Sequence, residues 1–172
     1  MITSYPTRQQ FGQLFQSVFQ TGTGAEIGVQ NGFNAKNIFE SGWSGTLFCV
    51  DRWEKLEELR TAIESLKGKT VMFIKGESAA SAEVLPDASL DWVYIDAGHS
   101  YAEVKADFEA WFPKVRTGGI ISGHDYGEND CIGVKEFIDE YIVLHPEVEM
   151  HFTTEDFFEE REYQSWWFIK TV

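Results

Sequence analysis

Four short stretches of the chain gather residue types that bind ligands or move protons. The first is Glu26-Ile27-Gly28-Val29-Gln30-Asn31-Gly32-Phe33-Asn34, where an apolar run gives way to a helical one. Gly28 and Gly32 allow positive φ there, and let backbone approach a ligand closely. The spacing is not Gly-x-Gly-x-x-Gly, because Gln30 stands at the middle position. Asp51 closes the next apolar run. A carboxylate at such a tip accepts both hydroxyl hydrogens of an adenosine ribose, although a surface turn would also place an aspartate there. Asp96 and Asp125 end two further apolar runs. Two unpaired carboxylates on one rim repel, and a divalent cation such as Mg2+ would relieve that. The alternative has Asp96 contacting a bound ligand and Asp125 capping a turn. His124 offers a third ligand, but neighbours on a strand face opposite ways, so a kink is needed before His124 and Asp125 can reach one ion. His99 follows Asp96 in a loop that enters a helix. Its imidazole titrates at about pH 6.5 and accepts a proton at neutral pH. It could equally be a helix-start residue bonded to backbone. His145 and His151 read as surface or core.

These residues need a scaffold that sets them side by side. Phe11, Leu14, Phe15, Val18 and Phe19 recur at helical spacing within residues 1–20. Short apolar runs then alternate with amphipathic ones. Strands are expected at Ala25–Val29, Thr46–Asp51, Val71–Ile74, Leu90–Asp96 and Gly119–His124. Helices are expected between them, including Lys55–Lys67 with Leu56, Leu59, Ile63 and Leu66 on one face. Tyr101, Val104, Phe108, Trp111, Phe112 and Val115 mark the apolar side of another. The tail changes character, with strand-like segments at Glu147–Thr153 and Ser165–Ile169 joined by an acidic connection. The expected fold is therefore α/β: one domain over residues 1–172, a doubly wound, mostly parallel sheet with a core over 25–126, and a C-terminal antiparallel hairpin at 147–171. In such a sheet ligands bind beyond the carboxyl ends of the strands, where the strand order reverses.

Composition narrows the partners. A hydrophobic fraction of 43% with 14 Phe and 6 Trp excludes a disordered chain. No apolar run approaches the roughly 20 residues of a membrane span, and the first residues carry neither a basic nor an apolar leader region. With 28 acidic against 14 basic residues, the net charge is −14, and the average surface repels phosphate backbones. A small-molecule partner is expected, with no nucleic acid and no membrane. A homodimer is left open. Only Cys49 and Cys131 are present, one in an apolar run and one in a loop, which suits a reducing, cytoplasmic setting.

Glu26-x-Gly28-x-x-x-Gly32 followed by Val50-Asp51-Arg52-Trp53 resembles the first two motifs of class I S-adenosylmethionine-dependent methyltransferases. Tyr94-Ile95-Asp96-Ala97-Gly98-His99-Ser100-Tyr101 and Gly118-Gly119-Ile120-Ile121-Ser122-Gly123-His124-Asp125-Tyr126 resemble the small-molecule O-methyltransferases of catechol and macrocin type. The resemblance covers about Ala25 to Tyr126. It implies a Rossmann-like fold and methyl transfer from S-adenosylmethionine to a hydroxyl. It also assigns roles. Gly28 and Gly32 would lie under the methionine portion, with Asn34 on its carboxylate. Asp51 would hold the ribose, Arg52 and Trp53 would lie near the adenine, and Glu77 and Ser78 would lie beside it. Glu26 would be a direct contact or a network group. His99 matches the place of a lysine general base, and Asp96 and Asp125 lie where metal-dependent relatives hold a cation that activates the acceptor oxygen, with His124 as the candidate third ligand. Two other classes use much of the same scaffold: a non-catalytic cofactor-binding module, and a nicotinamide-dependent oxidoreductase.

Overall fold

A computed structural model describes residues 7–127, 132–154, 157–158 and 161–171. A 3-10 turn at Arg8–Gln10 leads into α1 (Phe11–Phe19). The βα alternation follows as β1 (Thr23–Ile27), α2 (Phe33–Glu40), β2 (Thr46–Asp51), α3 (Leu56–Ser65), β3 (Val71–Lys75) and the one-turn α4 (Ser78–Ser81). It continues as β4 (Leu90–Ile95), α5 (Tyr101–Trp111), β5 (Val115–Tyr126) and α6 (Ile132–Leu144). The tail contributes β6 (His151–Phe152), β7 (Phe157–Phe158), β8 (Arg161–Glu162) and β9 (Gln164–Ile169).

Seven strands form one sheet in the order β3-β2-β1-β4-β5-β9-β6. β1 to β5 pair in parallel, whereas β9 lies antiparallel to both β5 and β6. β1 is central and buried almost throughout, as expected of a parallel strand covered on both faces. The direction of winding reverses between β1 and β4, so their carboxyl ends flank the crevice where such sheets bind ligands. β7 and β8 form a separate two-stranded ribbon.

Aromatic side chains fill both layers. On the α1–α3 face, Phe15 stacks on Trp92 at 3.9 Å with their planes 6° apart, and Trp43 meets both edge-on. On the α5–α6 face, Phe108 packs against Phe137, Tyr141 and Phe168. α1 therefore sits over the sheet, which brings the turn before it to the rim of the crevice.

The structure changes several expected details. Leu56 and Ile63 of α3 are exposed, and the buried line is Ala62 and Leu66. That face meets α2 over a short span only, so the full apolar stripe is not covered. Val115 opens β5 instead of ending the preceding helix, because a 3-10 turn at Phe112–Lys114 with Pro113 stops it. In the tail only His151–Phe152 joins the sheet on its edge, while β9 inserts between it and β5. Cys49 is buried and free, whereas the expectation for Cys131 lies outside the described residues.

Candidate active site

A cleft of about 1210 Å³ opens at the carboxyl ends of β1, β2, β4 and β5. Its floor is the turn after β1. Gly28 has φ 91°, and a Cβ there would lie 1.9 Å from the Asp96 carbonyl oxygen, so only glycine fits between β1 and β4. Gln30 adopts φ 50°, a left-handed backbone at the position where the commoner fingerprint has glycine. Its N–H donates to Asp51 Oδ2 at 2.8 Å, and its carbonyl accepts the Trp53 indole N–H at 2.7 Å. Asp51 Oδ1 accepts the Trp53 backbone N–H at 2.7 Å. Two N–H groups thus fix the Asp51 carboxylate at the lip of the cleft, with lone pairs left over for a ligand.

Deeper in, Glu26 is buried. Its Oε1 accepts an N–H from Asn34 at 3.0 Å, and Oε2 has no hydrogen-bond partner among the described residues. Burial pushes the Glu26 carboxyl up to about 8, against the lowering by Asn34. An orphaned buried carboxylate oxygen on a cleft wall suits a cationic donor such as the ammonium of an amino acid.

At the far end four side chains and an arginine form one network. His99 Nε2 lies 2.8 Å from Asp125 Oδ2, and His124 Nδ1 lies 2.9 Å from Asp125 Oδ1. The kink that His124 and Asp125 require is present: Asp125 has φ 60°, and the β5–β9 register shifts between Gly123 and Tyr126. Asp96, His124 and Asp125 each offer one atom, and those atoms lie within 4.8 Å of one another. Burial alone would raise the Asp125 carboxyl, but hydrogen bonds from His124 and His99 outweigh it, and its pKa falls well below the ordinary value. The bond to Asp125 raises the His99 pKa. Burial raises that of Asp96, against the attraction of Arg8.

The two carboxylates expected to be unpaired are therefore paired. Arg8 Nη2 donates to Asp96 Oδ2 at 3.1 Å, Nη1 sits 3.2 and 3.3 Å from the His124 ring nitrogens, and Nε donates to Asn34 Oδ1 at 3.4 Å. Burial works against the Arg8 charge, but Tyr94, Asp96, Glu26 and Asp125 more than compensate and raise its pKa.

Most of the residues singled out from the sequence line this cleft: Glu26, Gly28, Asn34, Asp51, Arg52, Glu77, Ser78, Asp96, His99, His124 and Asp125. Two do not. Trp53 has φ 40°, which turns its indole into the core against Phe73, where it is fully buried. Gly32 is the left-handed start of α2, and a Cβ there would press on Ala62 and Ser65 of α3. Asn34 lines the wall, but its amide is engaged by Glu26 and Arg8. Arg8 and Asp107 are functional candidates that the sequence reading missed. Asp107 had a signal: it lies on the inward face of α5 between Val104 and Trp111, where a carboxylate is out of place. Its burial raises its carboxyl, and it lines the cleft beside Glu77 and Ser78. Arg8 had none.

The strand order, the antiparallel β9 and the cleft at the β1–β4 switch define a Rossmann-like methyltransferase fold. The methyltransferase-domain family matches residues 25–126, from within β1 to the end of β5, and the chain belongs to it. Protein y4gI of Sinorhizobium fredii is 27% identical over 114 residues, which is 58% of this chain and 12% of that protein. The chain thus corresponds to a small part of that relative's length. Rv0187 from MTB, solved with cofactor bound, superposes with a TM-score of 0.76 at 16% identity, covering 99% of this chain and 83% of that one. An rRNA methylase from Streptococcus thermophilus gives 0.73 at 11% identity over 100% of both chains. The O-methyltransferase NovP gives 0.65 at 18% identity over 96% of this chain and 79% of its own.

Proposed function

We propose that the protein transfers a methyl group from S-adenosylmethionine to an oxygen of a small-molecule acceptor. One juxtaposition carries the reading: a cleft that runs from the Asp51 tip past Gly28 opens, at its other end, on the His99–Asp125 pair. S-adenosylmethionine supplies, when bound, a methyl group on a cationic sulfur.

The residues fit that molecule. Asp51 takes the ribose hydroxyls, and Gly28 lets backbone approach the methionine portion. Glu26 Oε2 takes the ammonium, which answers its lack of a partner. Arg52, Glu77, Ser78 and Asp107 surround the adenine. His99 removes the acceptor proton, while Asp125 orients the imidazole and stabilises its charged form. Methyl transfer is an in-line displacement, so most of the remaining work is holding two reactants in place. Arg8, Gln9 and Tyr163 also line the cleft and are available to wall the acceptor. The net charge of −14 favours a small acceptor over RNA, and the match to NovP supports oxygen as its nucleophile. Assistance by a divalent cation, expected from Asp96, His124 and Asp125, has no part in this reading, because Arg8 already engages two of the three.

A methyl-transfer screen with labelled cofactor against hydroxylated small molecules tests it. His99→Ala should lower kcat on the acceptor found by about 10²–10⁴-fold with S-adenosylhomocysteine affinity nearly unchanged. Near-normal kcat in that variant would remove His99 from the reaction. Binding of S-adenosylhomocysteine with no acceptor labelled would favour a non-catalytic module instead.

A further inference from the structure

Asp96, His124 and Asp125 have the types and the spacing of a divalent-cation site, with one donor atom from each within 4.8 Å of the others. The surrounding contacts already occupy most of those donors. Arg8 contacts Asp96 Oδ2 at 3.1 Å and both His124 ring nitrogens within 3.3 Å. His99 and His124 take the two oxygens of Asp125 at 2.8 and 2.9 Å. A cation among these donors would sit against the guanidinium, and two positive charges a few ångströms apart in a half-buried site repel strongly. As arranged, the residues do not fit a resident divalent cation.

We propose that Arg8 takes that cation's place. The 3-10 turn ahead of α1 delivers a permanent positive charge to the rim, from 88 residues away in sequence. Guanidinium stays protonated at any working pH, and its flat fork lets Nη1 and Nη2 serve two partners at once. The Arg8 and Asp96 side chains are only 21% and 16% exposed, so water screens the pair weakly. Arg8 also bonds Asn34, which bonds Glu26. The same charge therefore ties the acceptor end of the cleft to the cofactor end. In the reaction proposed above, Arg8 would stabilise negative charge on the acceptor oxygen as His99 withdraws its proton. That role rests on the proposed function, whereas the exclusion of a metal does not.

A titration of the purified protein with Mn2+, followed by electron paramagnetic resonance, separates the two claims. The native protein and Arg8→Lys, which keeps the charge, should show no saturable site. Arg8→Gln should gain one, at least about tenfold tighter than any weak binding in the native protein, and Asp96→Asn added to it should abolish the gain. Thermal melting of each variant confirms that it folds. Saturable binding to the native protein as tight as to Arg8→Gln would overturn the proposal without recourse to any variant's activity. So would a folded Arg8→Gln that gains nothing, or an Arg8→Lys that binds like Arg8→Gln. Methyl transfer by the native protein should persist in excess chelator. Loss of transfer there, with no Mn2+ site detected, would contradict the catalytic role of Arg8 and leave the methyl-transfer reading intact.

Discussion

With His99 as the proposed base, the His99–Asp125 pair should set a pH dependence whose sign is fixed. A base must be neutral to accept a proton, and Asp125 raises the His99 pKa above its ordinary 6.5. The acid limb of kcat/KM should therefore fall above pH 6.5. Asp125→Asn removes the bonded charge, so the midpoint should move down while kcat also drops; a midpoint unmoved in this variant would detach Asp125 from the base. Glu26 makes an independent prediction. Its folded pKa of about 8 exceeds its ordinary 4.5, so across that window the folded state holds a proton that the unfolded chain has lost. Its contribution to stability is fully present below 4.5 and is lost as pH rises through about 8. Glu26→Gln should flatten the fall in urea midpoint between pH 5 and pH 8.5, and an unchanged slope would assign the dependence elsewhere. Binding an ammonium beside Glu26 should also release a proton, seen as a buffer-dependent heat. At this scale the sequence made Asp51, His99 and the need for a kink at Asp125 legible, because Asp51 and Asp125 lie at strand ends and His99 lies in the loop that follows one. Trp53 misled because its backbone conformation, invisible in the residue string, turns the ring inward. Arg8 was illegible because no spacing rule links it to Asp96.

At the scale of elements, most of the candidate residues borrow their position from a strand end or a helix start, with Asp107 inside α5 and Arg8 in the 3-10 turn as exceptions. α5 begins with a capping box: Ser100 Oγ accepts the Glu103 N–H at 3.4 Å, and Glu103 Oε2 accepts the Ser100 N–H at 3.1 Å. His99 immediately precedes that cap. Ser100→Ala should lower stability by about 1 kcal/mol and also reduce kcat, since the cap fixes the direction in which His99 leaves the loop; urea unfolding and kinetics would show both. A change in stability with kcat untouched would mean that Asp125 alone positions the ring. The closer constraint is at Gly28, where a Cβ would meet the Asp96 carbonyl. Gly28→Ala combines a positive φ with that overlap and should destabilise by at least about 2 kcal/mol. Strand and helix periods revealed nearly every element, because central strands and amphipathic helices impose patterns on their residues. Boundaries were less legible. How far α3 is covered, and which tail strand inserts beside β5, depend on neighbours that a local pattern does not encode.

At the scale of the whole molecule, topology does what no single motif does. Parallel strands place Gly28, Asp51, Asp96 and Asp125 on one rim, and the reversal between β1 and β4 opens the cleft between them. Among the described residues no helix is long and apolar enough to cross a membrane. The charge of −14 should keep the protein from retaining duplex RNA in a filter assay at physiological salt, and salt-dependent retention would reopen a nucleic-acid acceptor. The proposed reaction requires a cleft built for S-adenosylmethionine. Calorimetry with S-adenosylhomocysteine and with NAD, on the native protein and on Asp51→Ala, tests that most directly. The homocysteine compound should bind and NAD should not compete, and Asp51→Ala should weaken binding by about 1.5–3 kcal/mol, the scale of hydrogen bonds to a charged group. Tighter binding of NAD, or equal affinity in the native protein and Asp51→Ala, would contradict it.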